Sequence, residues 1–286
     1  MKYSKFKQTV IDNMPDNQNP GLWRGKGEPQ KHILGNPSSP EEKAELINKY
    51  SIIEGVTPID YKTIHLHTCA HHLNSSQIMC YNFFRPMIED YDGEKYKPKE
   101  CLVNLLSKVI NQELVLEGSI CNFEHINDSN EKTNFDFYFE SGDIRIYCEI
   151  KYTEEFFAKT SSAKEPQKRY ESVYKQMIHS ARDIFINGTI NEKDFNEKYY
   201  QLSRNAIRAT SANKHVLFIY PQKNEGLKQQ FEQFSKACLT EEGKKRVRLI
   251  TWEELVHEAN KLGCDVSNFD KRYLAFLRES TSKKAF

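Results

Sequence analysis

Apolar and polar residues alternate along residues 134–152, the clearest pattern in the chain. The apolar positions are Phe135, Phe137, Phe139, Ile144, Ile146, Cys148 and Ile150, and the polar positions between them include Asp136, Tyr138, Glu140, Arg145, Tyr147, Glu149 and Lys151. A period of two residues gives a β-strand one apolar and one polar face. Ser141-Gly142 suits a two-residue hairpin loop, which places Asp136 opposite Tyr147 and Asn134 opposite Glu149. We therefore predict a hairpin that presents Asp136, Glu149 and Lys151 on one polar face.

Elsewhere the apolar residues recur at the three-to-four spacing of amphipathic helices, with short apolar runs between them. We predict helices from Ser39 to about Tyr50, from Asn74 to Phe84, after Pro98, over 166–187 and 193–211, and after Thr251; we predict strands at about 114–126, 134–140, 143–152, 215–220 and 246–250. This order of elements predicts an α/β fold with a mixed central sheet flanked by helices on both faces.

The chain divides into three parts by composition. Residues 1–60 form an N-terminal part, in which the polar stretch 1–36 is expected to be an irregular arm followed by a helix. Residues 61–275 form the main domain, and residues 276–286 are expected to be a frayed tail. The basic side chains of the arm, Arg24, Lys26, Lys31 and His32, either contact a DNA backbone or form a solvated surface.

Composition narrows the class of protein without selecting a function. Among the 286 residues, 38% are hydrophobic, which is enough to form a sizeable core. No run approaches the roughly 18–20 apolar residues of a membrane span, and no apolar run follows Met1 as in a secretory signal. The seven cysteines are scattered without a CxxC pair, so we expect buried thiols in the cytoplasm. A net charge of +1 neither indicates nor excludes a nucleic-acid partner.

The polar face of the hairpin carries the candidate chemistry. In the predicted register Asp136 and Glu149 are diagonal neighbours, with Cβ atoms about 7–8 Å apart or less. Two carboxylates at this separation can bind one divalent cation, and oxygen ligands suit Mg²⁺ or Mn²⁺. Such a cation acidifies a water molecule and neutralises phosphate charge, and Lys151 can orient that water or stabilise developing charge.

An aspartate, a turn and then Glu-x-Lys on the next strand resemble the signature of the PD-(D/E)xK nucleases. Here the signature reads Asn134-Phe135-Asp136 and Glu149-Ile150-Lys151, without the proline before the aspartate. Together with His72-Leu73-Asn74-Ser75-Ser76-Gln77 and the residues around both motifs, it resembles a bacterial subgroup of restriction-endonuclease-like proteins over residues 60–260.

The resemblance implies a restriction-endonuclease-like core and Mg²⁺- or Mn²⁺-dependent hydrolysis of DNA, and it leaves a homodimer open. It implies the catalytic residues Asp136, Glu149, Lys151 and Gln201, the last on a helix that also carries Arg204. The expected metal positions are Asp136, Glu149, Ile150 and Glu124, where Glu124 is the preferred upstream acidic residue and Glu113 the weaker candidate.

Two alternatives stay open. The segment His65-Leu66-His67-Thr68-Cys69-Ala70-His71-His72 invites a zinc site, but its spacing matches no common zinc motif, and we instead expect a strand that leads into the helix at Asn74. Ser75 and Ser76 at that helix start are expected to be structural caps, with a phosphate site as the alternative. The alternative function is a non-catalytic DNA-binding or interaction protein on the same fold.

Overall fold

A five-stranded mixed sheet forms the centre of the computed structural model, which describes residues 4–18, 20–23, 26–93, 95–126, 134–159 and 170–282. Its strands are β3 (Ile120–Ile126), β4 (Asn134–Ser141), β5 (Ile144–Ile150), β6 (Lys214–Tyr220) and β7 (Val247–Thr251), and they lie side by side in that order. The first three strands are antiparallel, whereas β5, β6 and β7 run parallel. The sheet is therefore mixed, as predicted.

Helices cover both faces of this sheet, which confirms the predicted fold class. They are α1 (Lys5–Asp12), α2 (Pro40–Tyr50), α3 (Ser76–Phe84), α4 (Glu100–Ile110), α5 (Lys175–Ser180), α6 (Glu192–Asp194), α7 (Tyr200–Ala206), α8 (Glu225–Cys238), α9 (Glu241–Arg246), α10 (Trp252–Lys261), α11 (Ser267–Tyr273) and α12 (Ala275–Ser282). A π-helical turn, Tyr170–Tyr174, leads into α5, and another, Phe195–Tyr199, joins α6 to α7. Short 3-10 helices follow α3 at Arg85–Met87 and α7 at Ile207–Ala209.

Two hydrophobic cores lie on opposite sides of the sheet. Phe137, Phe139, Ile146, Cys148 and Ile150 pack against α3, α4 and the C-terminal helices in the first core. The second core joins other sheet residues, among them Tyr138, Tyr147 and Phe218, to the helices between α5 and α8. Burial of apolar surface on both faces at about 25 cal/mol per Å² is the main force that fixes the layers.

The second core corrects the predicted polar face of the hairpin. Tyr138 and Tyr147 alternate correctly with the apolar residues, but both are almost fully buried under helices rather than solvated. Phe135 belongs to this second core, where its ring lies 5.0 Å from that of Tyr147, so the alternation breaks at the start of β4. The middle of the predicted polar face is therefore buried in a core, and Asp136 and Glu149 lie beyond it at the end of the hairpin away from the turn.

The hairpin register differs from the prediction by two residues. Ser141 pairs with Ile144 and Tyr138 with Tyr147, so the loop is Gly142-Asp143 rather than Ser141-Gly142. Gly142 has a φ of 59°, a left-handed conformation that glycine adopts without the strain of a Cβ atom. Because a shift of two residues leaves each side chain on its own face, Asp136 still lies beside Glu149 and is now directly opposite it when the register is extended.

The N-terminal arm is not irregular, contrary to the prediction. It contains α1 and a two-stranded antiparallel sheet of β1 (Pro20–Trp23) and β2 (Lys26–Leu34). Ile33, near the end of β2, bridges to His72 and so docks this hairpin on the main domain. Register shifts between Pro20 and Trp23 interrupt the pairing of the two strands, so the segment lacks the regular alternation that predicts a strand.

The predicted frayed tail, residues 276–286, is helical as far as the structure describes it. Helix α12 extends to Ser282, and Leu277 is only 1% exposed in the first core. Residues 283–286 lie outside the described residues. Burial of an apolar face holds this helix, a tertiary effect that the polar sequence of the segment obscured.

The capping predictions are confirmed at two helices. The Ser39 side chain accepts a hydrogen bond from the Glu42 N–H at the start of α2. At α10, Thr251 and Glu254 form a full capping box, in which each side chain bonds the other residue's backbone. These local hydrogen bonds satisfy the N–H groups that a helix start leaves without partners.

Two further expectations can be compared with the structure. All seven cysteines are free thiols, and five of them are buried, as predicted. In the described part of the chain, no helix combines the length and the apolar character that a membrane crossing requires.

Candidate functional site

A cavity of about 500 Å³ opens where β4 and β5 meet the N-terminus of α3. Its lining includes the predicted catalytic residues Asp136, Glu149, Lys151 and Gln201, together with Arg204. The rest of the lining comprises Lys7, Trp23, His67, Cys69, His72, Asn74, Ser75, Ser76, Gln77, Asn134, Thr153 and Glu154. The four predicted catalytic side chains are thus brought together in one concave site.

The Glu149 carboxylate is buried and has a hydrogen-bond donor on each oxygen. Lys151 Nζ donates to Oε1 at 2.9 Å and Gln201 Nε2 to the same oxygen at 2.7 Å. Asn205 Nδ2 donates to Oε2 at 2.9 Å. Gln201 and Asn205 lie four residues apart on α7 and therefore share one helix face. Helix α7 fixes the orientation of the Glu149 carboxylate.

Gln201 is itself held in place by the backbone. The side-chain oxygen of Gln201 accepts a hydrogen bond from the backbone N–H of Ala158 at 3.0 Å. The backbone N–H of Gln201 donates to the carbonyl of Ala158 at 3.2 Å. The amide can therefore offer only its nitrogen to Glu149. The sequence prediction named Gln201 but missed Asn205, although the four-residue spacing on one helix could have indicated it.

Lys151 is a buried cation surrounded by carboxylates. Besides Glu149, it lies 3.9 Å from Glu154, and only 7% of the residue is exposed. Burial by itself lowers the pKa of the Lys151 ammonium, but the charges of Glu149, Glu154 and Asp136 outweigh burial and raise the pKa above its ordinary value. Lys151 is therefore a permanent positive charge at the floor of the cavity.

Asp136 occupies the position where β4 and β5 begin to separate. One of its oxygens, Oδ2, accepts the backbone N–H of Ile150 at 2.6 Å, which leaves the second oxygen for another partner. Burial raises the pKa of the Asp136 carboxyl well above its usual range, and the charges of Glu149 and Glu124 raise it further. Several carboxylates crowded into one poorly solvated site are characteristic of a cation site.

Glu124 enters the same site from the edge strand β3. Its side chain is 3% exposed, and its Oε2 atom accepts a hydrogen bond from the Asn134 side chain. The same oxygen lies 2.9 Å from His67 Nε2, with which it forms a second hydrogen bond. The other oxygen, Oε1, is buried without a hydrogen-bond donor among the described residues. The hydrogen bond with Glu124 raises the pKa of His67. The sequence prediction missed His67, which precedes Glu124 by 57 residues.

The segment before α3 forms turns rather than the predicted strand. In the described part of the chain, the one group of potential metal ligands within 4.8 Å of each other joins His67 to Glu124 and Asp136, so the neighbouring histidines and Cys69 form no zinc cluster there. Ser75 caps α3 by accepting the Ile78 N–H at 3.4 Å, as predicted.

The remaining predicted positions are placed as follows. Ile150 has its side chain in the first core, so only its backbone could face a metal. Glu113 is exposed and does not line the cavity. In the arm, Lys26 and Lys31 are exposed, Arg24 lies outside the described residues, and His32 is buried, which lowers its pKa to about 4. From this arm, Trp23 and Lys7 reach the cavity instead.

The residues present fit a divalent cation. Glu124 Oε1 and Asn134 Oδ1 are both buried oxygens without a donor among the described residues, and Asp136 keeps one oxygen beyond its bond to Ile150. Buried acceptors without donors cost free energy, and a cation satisfies several of them at once. Carboxylate and amide oxygens of this kind suit Mg²⁺ or Mn²⁺.

The sheet topology and this site together define an α/β protein of the restriction-endonuclease-like class. The chain belongs to the family described as restriction endonuclease associating with ARP, whose sequence model matches residues 33–279. No curated protein and no solved structure matches the chain. The match spans the sheet and most cavity residues, whereas Lys7 and Trp23 precede it.

Proposed function

We propose that this protein is a metal-dependent endonuclease of the PD-(D/E)xK type that hydrolyses DNA phosphodiester bonds, in a restriction or defence role. The observation that carries the proposal is the meeting of Asp136, Glu149 and Lys151 in one cavity, with Glu124 close beside Asp136. Membership of a restriction-endonuclease family supports DNA as the substrate. Three carboxylates and a lysine in this arrangement suit hydrolysis of an anionic ester.

Asp136, Glu149 and Glu124 would hold the cation, and the Ile150 carbonyl is the fourth position that we assign to it. A bound divalent cation supplies a water molecule of lowered pKa and neutralises phosphate charge. The Ile150 N–H fixes one oxygen of Asp136, so that the carboxylate presents its second oxygen in a defined direction. Gln201 and Asn205 donate to different oxygens of Glu149 and so fix the orientation of its carboxylate.

Lys151 acts on the phosphate through its charge and its position. Its ammonium is held by Glu149 at 2.9 Å, and the remaining N–H groups can donate to a phosphate oxygen or to the attacking water. In a site with little solvent, such a fixed charge stabilises an anionic transition state much more than it would in water. Lys7 and Arg204 add positive charge at the cavity wall, where a DNA backbone would pass.

The decisive experiment is incubation of the full chain with plasmid DNA and Mg²⁺ or Mn²⁺, followed by sequencing of the ends. Cleavage that requires the cation and stops with EDTA supports the proposal, and a single sequence at the ends indicates restriction-type specificity. DNA binding without cleavage under every divalent cation would contradict it and favour a non-catalytic DNA-binding protein on this fold.

The family description also names an association with ARP. We extend that association to this chain as part of the proposal. Co-purification of ARP with the tagged full chain, and its loss in high salt or with a surface variant, is the measurement that checks it.

A further inference from the structure

His67 lies in the site although no part of the Asp136, Glu149 and Lys151 pattern points to it. Its Nε2 atom is 2.9 Å from Glu124 Oε2, and the potential ligand atoms of His67, Glu124 and Asp136 all lie within 4.8 Å of one another. A single cation placed among atoms at these separations can contact all three, since metal–ligand distances are about 2.0–2.6 Å.

The backbone around His67 is held rigidly from α3. Gln77, in the first turn of that helix, accepts the N–H of His67 at 3.0 Å and donates to the carbonyl of His65 at 2.7 Å. The Gln77 side chain therefore holds the backbone on both sides of Leu66, at His65 and at His67. A ligand on an irregular segment needs such support, because groups around the ligands fix their orientation.

The conformation of Glu124 is the second sign of a functional constraint. Its φ is 53°, a left-handed conformation that residues with a side chain rarely adopt, in the middle of a β-strand. Oε1 of the same residue is buried without a donor among the described residues. Backbone strain and a buried acceptor without a partner both cost free energy and persist mainly where function requires them.

Building on the nuclease function proposed above, we propose that His67 is a nitrogen ligand of the metal and that it biases the site toward Mn²⁺ over Mg²⁺. Mg²⁺ is a hard cation that prefers oxygen ligands and retains its water molecules. An imidazole nitrogen suits a transition metal better, and it is the feature that separates this ligand set from one of carboxylates alone. Glu149, whose oxygens already have three donors, lies outside this group of three ligand atoms and borders it on the side of Lys151.

The test measures metal binding directly, without DNA. The full wild-type chain is loaded with Mn²⁺, and pulsed electron paramagnetic resonance is used to detect the coupling of a directly bound ¹⁴N nucleus. We expect His67→Ala to lose this coupling and to weaken Mn²⁺ binding by about 10–100-fold, while Mg²⁺ binding changes much less. His67→Gln keeps a side chain that can bond Glu124 and should lose the coupling too.

His65→Ala is the matched control, because His65 is also exposed, lies two residues away and does not line the cavity. It should keep both the coupling and the affinity. A ¹⁴N coupling that persists in both His67 variants, or equal losses of affinity in the His65 and His67 variants, would overturn the role of His67. If one of these results is found and the wild type still cleaves DNA, the role of His67 is wrong but the proposed nuclease function stands. If the wild type binds neither Mn²⁺ nor Mg²⁺, the proposed nuclease function is contradicted as well.

Discussion

The two glutamates of the site, Glu149 and Glu124, are both buried but have opposite surroundings. Glu149 has a donor on each oxygen from Lys151, Gln201 or Asn205. Glu124 keeps one oxygen without any donor among the described residues. Donors of the protein therefore hold both oxygens of Glu149 in place, whereas one oxygen of Glu124 is left for a cation.

Their positions in the sheet explain this difference. Glu149 lies on the central strand β5, between β4 and β6, where α7 packs over it and supplies amide donors. Glu124 lies on the edge strand β3, where His67 reaches it from a turn. A central strand is covered by regular elements, while an edge leaves room for a ligand, so one sheet provides both a fixed and an open carboxylate.

Removal of Asp136, which lies between the two sides, should have the largest effect. We expect Asp136→Ala to reduce cation-dependent cleavage below detection, because in the proposed site Asp136 would hold the cation together with both glutamates. Plasmid cleavage measures the activity, and circular dichroism checks the fold. Asp143→Ala changes an exposed aspartate in the turn of the same hairpin and should cleave normally. Full activity in the Asp136 variant would contradict the proposed catalytic role of the hairpin.

Loss of the Lys151 ammonium, on the Glu149 side of the site, should have the next largest effect. Lys151→Met keeps the aliphatic stem but leaves Glu149 without its charged partner, so we expect cleavage to fall roughly 10²–10³-fold. The free energy of unfolding should fall by about 3 kcal/mol, since removal of one partner of a buried ion pair leaves the other charge buried without a partner. Urea denaturation measures the stability, and Lys175→Met, which breaks an exposed pair with Glu171, should leave it unchanged.

The amide donors should matter less than the charge. Asn205→Ala removes the donor to Glu149 Oε2, and we expect activity and Mn²⁺ affinity to fall about 10–100-fold, as is usual for residues that orient a metal ligand. Ser203→Ala is the control on the same helix, because Ser203 is equally buried and makes no bond to Glu149. Equal behaviour of the two variants would mean that α7 does not position Glu149.

The smallest expected effect is on the stability of the metal-free protein. Replacement of glutamate by glutamine should change this stability in opposite directions at Glu124 and at Glu149. Without metal, Glu124→Gln should stabilise the protein by about 0.5–2 kcal/mol, because it removes a charge that helps to raise the pKa of Asp136. Glu149→Gln should destabilise it by a similar amount, since Lys151 loses its closest carboxylate.

Thermal denaturation in EDTA and again with Mn²⁺ measures both variants. Addition of Mn²⁺ should stabilise the wild type more than Glu124→Gln, because that variant binds the cation less tightly. The comparison fails if the two variants shift the melting temperature in the same direction without metal.

Local pattern was sufficient to predict much of the fold. Alternation along β4 and β5 and the caps at Ser39 and Thr251 correspond to short-range hydrogen bonds and to side-chain direction, which depend on neighbouring residues alone. The register was predicted two residues out, because both Ser141-Gly142 and Gly142-Asp143 are acceptable turns by composition. The N-terminal hairpin was missed, since register shifts between Pro20 and Trp23 interrupt the alternation of its strands.

The sequence by itself determined that Asp136, Glu149 and Lys151 share one site, because the hairpin places them together whether Ser141-Gly142 or Gly142-Asp143 closes it. Only the tertiary structure decided which side chains complete that site. Glu124 was expected only through the family resemblance, and His67 and Asn205 were not expected. The three come from an edge strand, an irregular segment and a helix that are far apart in the chain. Their meeting depends on how the layers pack, and packing is the sum of many contacts that no local spacing encodes.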